Sequence, residues 1–98
     1  MDFFTRQARK RLIGKINKAV AKTQEEGRLK FVENDTIEYI GKEDGLKRTM
    51  TMDECAAMFW SAYNENMQQE IGLVGGNLMT FEITPDDFRK AMIELRGK

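Results

Sequence analysis

The chain has 98 residues, of which 41% are hydrophobic and 33% are charged, and its 16 basic and 16 acidic side chains balance. This composition is typical of one small globular domain, and no apolar run approaches the ~20 residues of a membrane span. The single cysteine, Cys55, excludes an internal disulfide and a cysteine-based zinc cage. Because a free thiol stays reduced inside the cell, we expect an intracellular, cytoplasmic protein.

Charge is distributed unevenly along the chain. The first 22 residues carry seven basic side chains and one acidic side chain, a net charge of +6. The other 76 residues therefore carry a net charge of −6. Such a separation of charge indicates a partner of opposite charge or a surface that docks on a second copy.

The first predicted element is a basic amphipathic helix from about Asp2 to Glu26, followed by Gly27 at the C′ position. At about 100° per residue, one apolar stripe forms, and it contains Leu12, Ile13, Ile16, Ala19 and Val20. A second stripe, about 140° around the helix, is basic, and it contains Arg11, Lys15, Lys18 and Lys22. Arg9 interrupts the apolar stripe, so we expect residues 1–10 to project from the core.

After this helix the hydrophobic period changes to two residues, which predicts strands. Leu29 to Glu33 and Thr36 to Ile40 flank Asn34-Asp35, a dipeptide that favours a two-residue hairpin turn. A glycine-bounded turn at residues 41–45 leads to a third strand near Leu46 to Thr51. Together these segments predict a three-stranded antiparallel meander.

Two further helices are predicted from their first residues. Thr51-Met52-Asp53-Glu54 matches a capping box and begins a helix that runs to about Gln69. In Thr84-Pro85-Asp86-Asp87, the threonine caps the final helix and the proline occupies its first position. Between these helices, alternation over Leu78 to Ile83 predicts a fourth strand. The order α-β-β-β-α-β-α describes a single α+β domain over residues 1–98, with helices packed on a mostly antiparallel four-stranded sheet.

The commonest catalytic and metal-binding side chains other than carboxylates are scarce in this chain. Histidine is absent, which removes the commonest general base and the commonest nitrogen ligand. Cys55 lies beside Asp53 and Glu54, whose charges raise the pKa of a thiol. The acidic pairs coincide with turns and helix starts, and they are Glu33/Asp35, Glu43/Asp44, Asp53/Glu54 and Asp86/Asp87. We expect no cofactor, no metal and no enzymatic activity; a small enzyme with an unrecognised carboxylate site is the least favoured alternative.

The candidate binding residues are those of the basic stripe, Arg11, Lys15, Lys18 and Lys22, which span about 16 Å along the helix axis. A solvated face without a partner is the simplest interpretation. Among the functional ones, we favour docking on an acidic protein surface or on a second copy. A nucleic-acid accessory protein, using also Arg9 and Lys10, is the alternative, but the pI of 6.3 is low for that class. An anionic membrane surface would have only Phe3 and Phe4 as an apolar anchor.

Two apolar residues do not fit the apolar stripes of their helices. Met58 lies off the stripe of the second predicted helix, and Ile93 lies off that of the last. Together with the N-terminal turns they predict an exposed apolar surface, which would favour a homodimer. Trp60 and Tyr63, by contrast, lie on the apolar stripe, and we assign them to the core.

Overall fold

The computed structural model describes residues 3–65 and 81–98, which form three helices and a three-stranded antiparallel sheet. The elements in chain order are α1 (Phe3–Glu25), β1 (Leu29–Glu33), β2 (Thr36–Ile40), β3 (Lys47–Thr51), α2 (Met52–Glu65) and α3 (Pro85–Arg96). The small α+β class is confirmed, and so is the predicted meander with the strand order β1-β2-β3.

The predicted fourth strand is not confirmed. Residues 78–80 lie outside the described part of the chain, as does the predicted end of the second helix at residues 66–69. In the described remainder, Phe81 has 3₁₀ conformation and Glu82 lies in a turn, with a φ of 58° that departs from the extended conformation. A four-stranded sheet and the full order of seven elements therefore stay predictions.

The β1–β2 hairpin turns at the predicted dipeptide. Glu33 pairs with Thr36, and Asn34 adopts a φ of 27°, a conformation that asparagine tolerates better than most residues. The register is irregular between Phe31 and Glu33, which marks a bulge in β1. Because side chains alternate between the two faces of a sheet, Leu29 and Ile37 lie together on the face that packs on the core, at 2% and 0% exposure.

The C-terminal end of α1 is closed by a Schellman motif. Gly27 has a φ of 77°, and its N–H donates to the carbonyl of Gln24 at 2.9 Å. The Arg28 N–H donates to the carbonyl of Thr23 at 3.1 Å, which completes the motif. The C′ position predicted for Gly27 is thus confirmed, and the reversal places Arg28 beside the last turn of α1.

The starts of α2 and α3 follow the predicted capping signals. In α2 the Glu54 carboxylate accepts the Thr51 N–H at 3.0 Å, and the Thr51 hydroxyl accepts the Glu54 N–H at 3.1 Å. In α3 the Asp87 carboxylate accepts the Thr84 N–H at 2.9 Å, with Pro85 in the first turn. Each box satisfies backbone donors that the helix itself leaves without partners.

The core lies between the sheet and the three helices, and α3 packs against both α1 and α2. Its centre is Phe88, which is fully buried and stacks on Phe59 with ring centroids 6.3 Å apart and on Tyr63 at 5.8 Å. The Trp60 indole donates to the Ile83 carbonyl at 2.9 Å. The α1 stripe contributes Leu12, Ile16 and Val20. Burial of each large apolar side chain is worth about 1.5–3 kcal/mol.

Candidate functional site

The C-terminal half of α1 forms one wall of a cavity, here called the basic groove, with a volume of about 280 Å³. Five basic side chains and one acidic side chain line it, and these are Lys15, Lys18, Lys22, Arg28, Lys42 and Glu26. The lysines of α1 share the wall because residues three and four positions apart lie on one side of a helix. The groove therefore joins four segments: α1, the turn after it, the β2–β3 turn and, through Tyr63, α2.

Three of the four predicted stripe residues line the groove. Lys15, Lys18 and Lys22 are exposed there, while Arg11 is exposed but lies outside the groove lining. Among the residues that the structure describes, the side chains of Arg11, Lys18 and Lys22 form no direct ion pair or hydrogen bond. The groove thus contains positive charge that the described chain does not neutralise.

Arg28 is a groove residue that the sequence analysis did not identify. Its guanidinium donates to Glu26 at 3.0 Å, to the Tyr39 hydroxyl at 3.2 Å and to the Ile40 carbonyl at 3.3 Å. It also lies 5.8 Å from the centroid of the Tyr39 ring, a cation–π contact. Burial lowers the pKa of Arg28, but the hydrogen bonds to Glu26 and Tyr39 outweigh burial and leave this pKa raised. The groove has a permanently charged, fixed cation at this end.

Lys42 enters the groove from the β2–β3 turn, which is tightly hydrogen-bonded. The Gly41 N–H donates to the Leu46 carbonyl at 3.0 Å, and the Asp44 carboxylate accepts the Leu46 N–H at 2.9 Å. A Cβ atom on Gly41 would collide with the Asp44 carboxylate, so glycine permits this close approach. The sequence predicts the turn, but the position of Lys42 opposite α1 depends on the register of the hairpin.

A second cavity of about 220 Å³, here called the apolar pocket, continues the basic groove. The two cavities share four lining residues, Thr23, Arg28, Lys42 and Tyr63. The remaining wall consists of the mostly apolar side chains of Tyr39, Met58, Phe59 and Ala62 together with the acidic Glu43. Tyr63, which the sequence analysis assigned to the core, is half-buried and belongs to both linings. Met58 is half-buried in this wall, whereas Ile93, 36% exposed, is absent from both linings.

Arg9, at the other end of α1, has an acidic partner. It donates to the Asp87 carboxylate at 2.9 Å, and the side chains are 35% and 7% exposed. The same carboxylate caps α3 through the Thr84 N–H. This ion pair accounts for a basic residue within the apolar stripe, because the stripe faces α3 at that point.

The other candidates for chemistry have structural roles. Burial raises the pKa of Cys55 to about 12, so the thiol stays protonated at neutral pH. Asp53 pairs with Arg89 at 2.6 Å, and Glu54 caps α2. Within residues 3–65 and 81–98, no group of three or more acidic or cysteine side chains is placed to hold a metal ion.

Comparisons with known proteins found no matching family model, no matching curated protein and no matching solved structure. Across the described ranges, no helix combines the length and the apolar character needed to cross a membrane. The interpretation of this chain therefore depends on the basic groove and the apolar pocket.

Proposed function

We propose that this protein is a non-enzymatic binding module, and that its basic groove docks on an acidic surface of a partner protein. One observation carries the proposal: Lys15, Lys18 and Lys22 line the same cavity as Arg28 and Lys42, although these residues come from three segments of the chain. Like charges placed together repel each other, so their mutual interaction opposes folding. An acidic partner removes this repulsion, and the affinity should fall as salt screens the charges.

A separate protein is a better partner than a second copy because much of this chain's acidic charge is already engaged. Asp44 pairs with Arg48, Asp53 with Arg89, Asp86 with Lys90 and Asp87 with Arg9. The Glu54 carboxylate caps α2. These residues belong to three of the four acidic pairs in the sequence. In a second copy, these acidic side chains would have to leave their present contacts in order to bind the groove.

A protein partner is also favoured over nucleic acid. Arg9, which the nucleic-acid alternative requires, is committed to Asp87, and Lys10 lines a different cavity from the groove lysines. The groove contains the acidic Glu26 and continues into the apolar pocket. A continuous row of phosphates would meet that carboxylate, whereas a protein surface can match both signs of charge.

The test is recovery of partners from native lysate with two variants of equal net charge. The groove variant carries Lys15→Glu, Lys18→Glu and Lys22→Glu; the control carries Arg6→Glu, Lys10→Glu and Lys98→Glu, which are exposed and outside the groove. We expect wild type and control to retain the same proteins after nuclease treatment, and the groove variant to lose them. Circular dichroism checks that both variants are folded.

Other results would contradict the proposal in distinguishable ways. Equal retention by the groove variant and wild type would exclude the groove as the docking surface. Loss of retention on nuclease treatment would favour the nucleic-acid alternative. Concentration-dependent sedimentation of wild type, abolished in the groove variant, would identify a second copy as the partner. Because Arg11 lies outside the groove, Arg11→Glu should weaken partner binding less than Lys18→Glu does.

A further inference from the structure

Building on the proposed function, we infer that the partner segment is a short acidic stretch next to one bulky apolar residue, whose side chain enters the apolar pocket. The continuity of the two cavities supports this inference. Thr23, Arg28, Lys42 and Tyr63 line both, so a bound chain can pass from the basic groove to the apolar pocket without leaving the surface. Charge would then give attraction, and the anchor would give specificity.

The lining of the cavities favours a peptide, because five basic side chains lead into a pocket with aromatic and aliphatic walls. The apolar pocket has a volume of about 220 Å³. A single large side chain is a good match for the apolar pocket. Half-buried Met58 lies in its wall, and a flexible thioether adapts to the shape of an incoming side chain.

The apolar pocket has an ordered wall. The Tyr39 and Phe59 rings meet edge to face with centroids 5.8 Å apart, and Phe59 and Tyr63 stack at 6.3 Å. Phe59 is only 5% exposed, so the core holds this ring in place. Since these rings are already ordered, binding of an apolar anchor would require ordering of few side chains in the wall apart from Met58.

The geometry of α1 sets the length of the acidic stretch. From Lys15 to Lys22 the helix rises about 10 Å, which matches about three residues of an extended chain at about 3.4 Å each. Arg28 and Lys42 lie at the junction of the cavities, so the acidic residue next to the anchor would contact them. The expected recognition element is therefore about three acidic residues and one adjacent apolar residue.

Two synthetic peptides test the inference on the full chain, with binding followed by the amide spectra of the labelled protein. One peptide has three glutamates and a leucine, and the other replaces the leucine by alanine; both are also made in reversed order. In one of the two sequence directions, we expect the leucine peptide to bind about tenfold more tightly than the alanine peptide of the same direction. The shifted amides should include Thr23, Gly41 and Tyr63.

A pocket-filling variant completes the test. Ala62 is exposed and lines the apolar pocket, so Ala62→Phe should occupy the pocket and remove the preference for leucine. Ala57, exposed on the same helix but outside the pocket lining, provides the matched control Ala57→Phe, which should keep the preference. Equal binding of the leucine and alanine peptides to wild type, lost in the groove variant, would overturn the inference and leave the proposed function standing. Absence of amide shifts in the groove with every peptide would overturn both.

Discussion

The two ends of α1 carry similar residues but have different environments. Near its N-terminus, Arg9 meets the Asp87 carboxylate at 2.9 Å, and this pair joins α1 to α3. Near its C-terminus, Lys18 and Lys22 line the basic groove without a direct acidic partner in the described chain. The difference lies in what the tertiary structure places opposite each residue. A basic cluster in a sequence therefore has to be divided, residue by residue, into charge used for folding and charge left for binding.

The largest effect should come from removing Asp87, which both pairs with Arg9 of α1 and caps α3. Asp87→Ala deletes the cap on the Thr84 N–H and leaves Arg9 without its partner. We expect the free energy of unfolding to fall by about 2 kcal/mol, a figure reduced for the partial exposure of Arg9. Urea denaturation at pH 7 measures it. Asp86→Ala is the control, because Asp86 pairs only at the surface with Lys90. Equal losses of unfolding free energy in the two variants would show that the contact between Arg9 and Asp87 has no special role in stability.

A smaller effect should come from the turn that ends α1. Gly27 has a φ of 77°, which any other L-residue adopts at a cost, so Gly27→Ala should destabilise the protein by about 1 kcal/mol. Gly14, within the helix and with open space around it, is the control: Gly14→Ala should stabilise by about 1 kcal/mol. Thermal denaturation monitored by circular dichroism compares the two. Destabilisation of similar size in both variants would show that the Schellman motif is not the cause.

The ion pair between Arg28 and Glu26 in the groove should be visible in the titration of Glu26. The Arg28 hydrogen bond lowers the pKa of Glu26 from its ordinary 4.5. Because the folded-state pKa is depressed, the stabilisation is present above pH 4.5 and is lost as the pH falls through the folded-state pKa. In Arg28→Met the pKa of Glu26 should rise towards 4.5. Carboxyl-carbon NMR follows it, and an unchanged pKa in the variant would show that Arg28 does not hold Glu26.

The smallest effect on the free energy of unfolding should come from Lys18 and Lys22 in the basic groove. Lys18→Gln and Lys22→Gln remove positive charge but no described ion pair, so each should change the free energy of unfolding by less than about 0.5 kcal/mol. The same urea series provides the values for comparison with Asp87→Ala. A loss above about 1 kcal/mol in either lysine variant would mean that the groove charge serves folding after all.

Local signals in the sequence predict the elements that position the groove. The bounds of β1 and β2 match their predictions because alternation and the Asn34-Asp35 turn both act over a few residues. The capping boxes at Thr51 and Thr84 also involve contacts only three residues apart. For the same reason Gly27 is recognisable as the end of α1. These features depend on neighbours in the chain.

The composition of the groove depends on distant residues and could not be predicted in the same way. Arg28 and Lys42 are remote from Lys15 in sequence, and only the hairpin register and the turn at Gly27 bring them to one cavity. The position of Arg9 in the apolar stripe is explained only by its ion pair with Asp87 of α3, which is distant in sequence. Tyr63 has the periodicity of a core residue, yet it forms part of the groove wall. A sequence pattern gives the face of a helix but not what packs against it.

The Arg9–Asp87 contact also has a kinetic consequence. The two residues are 78 positions apart, so the contact closes a loop that includes β1, β2, β3 and α2. Closing so long a loop costs chain entropy, and we expect the contact to form late, after the hairpins and local helical turns. Contacts that form after the folding transition state act mainly on the unfolding rate. The contact between Arg9 and Asp87 would then chiefly slow unfolding and so prolong the lifetime of the native state, with little influence on the folding rate.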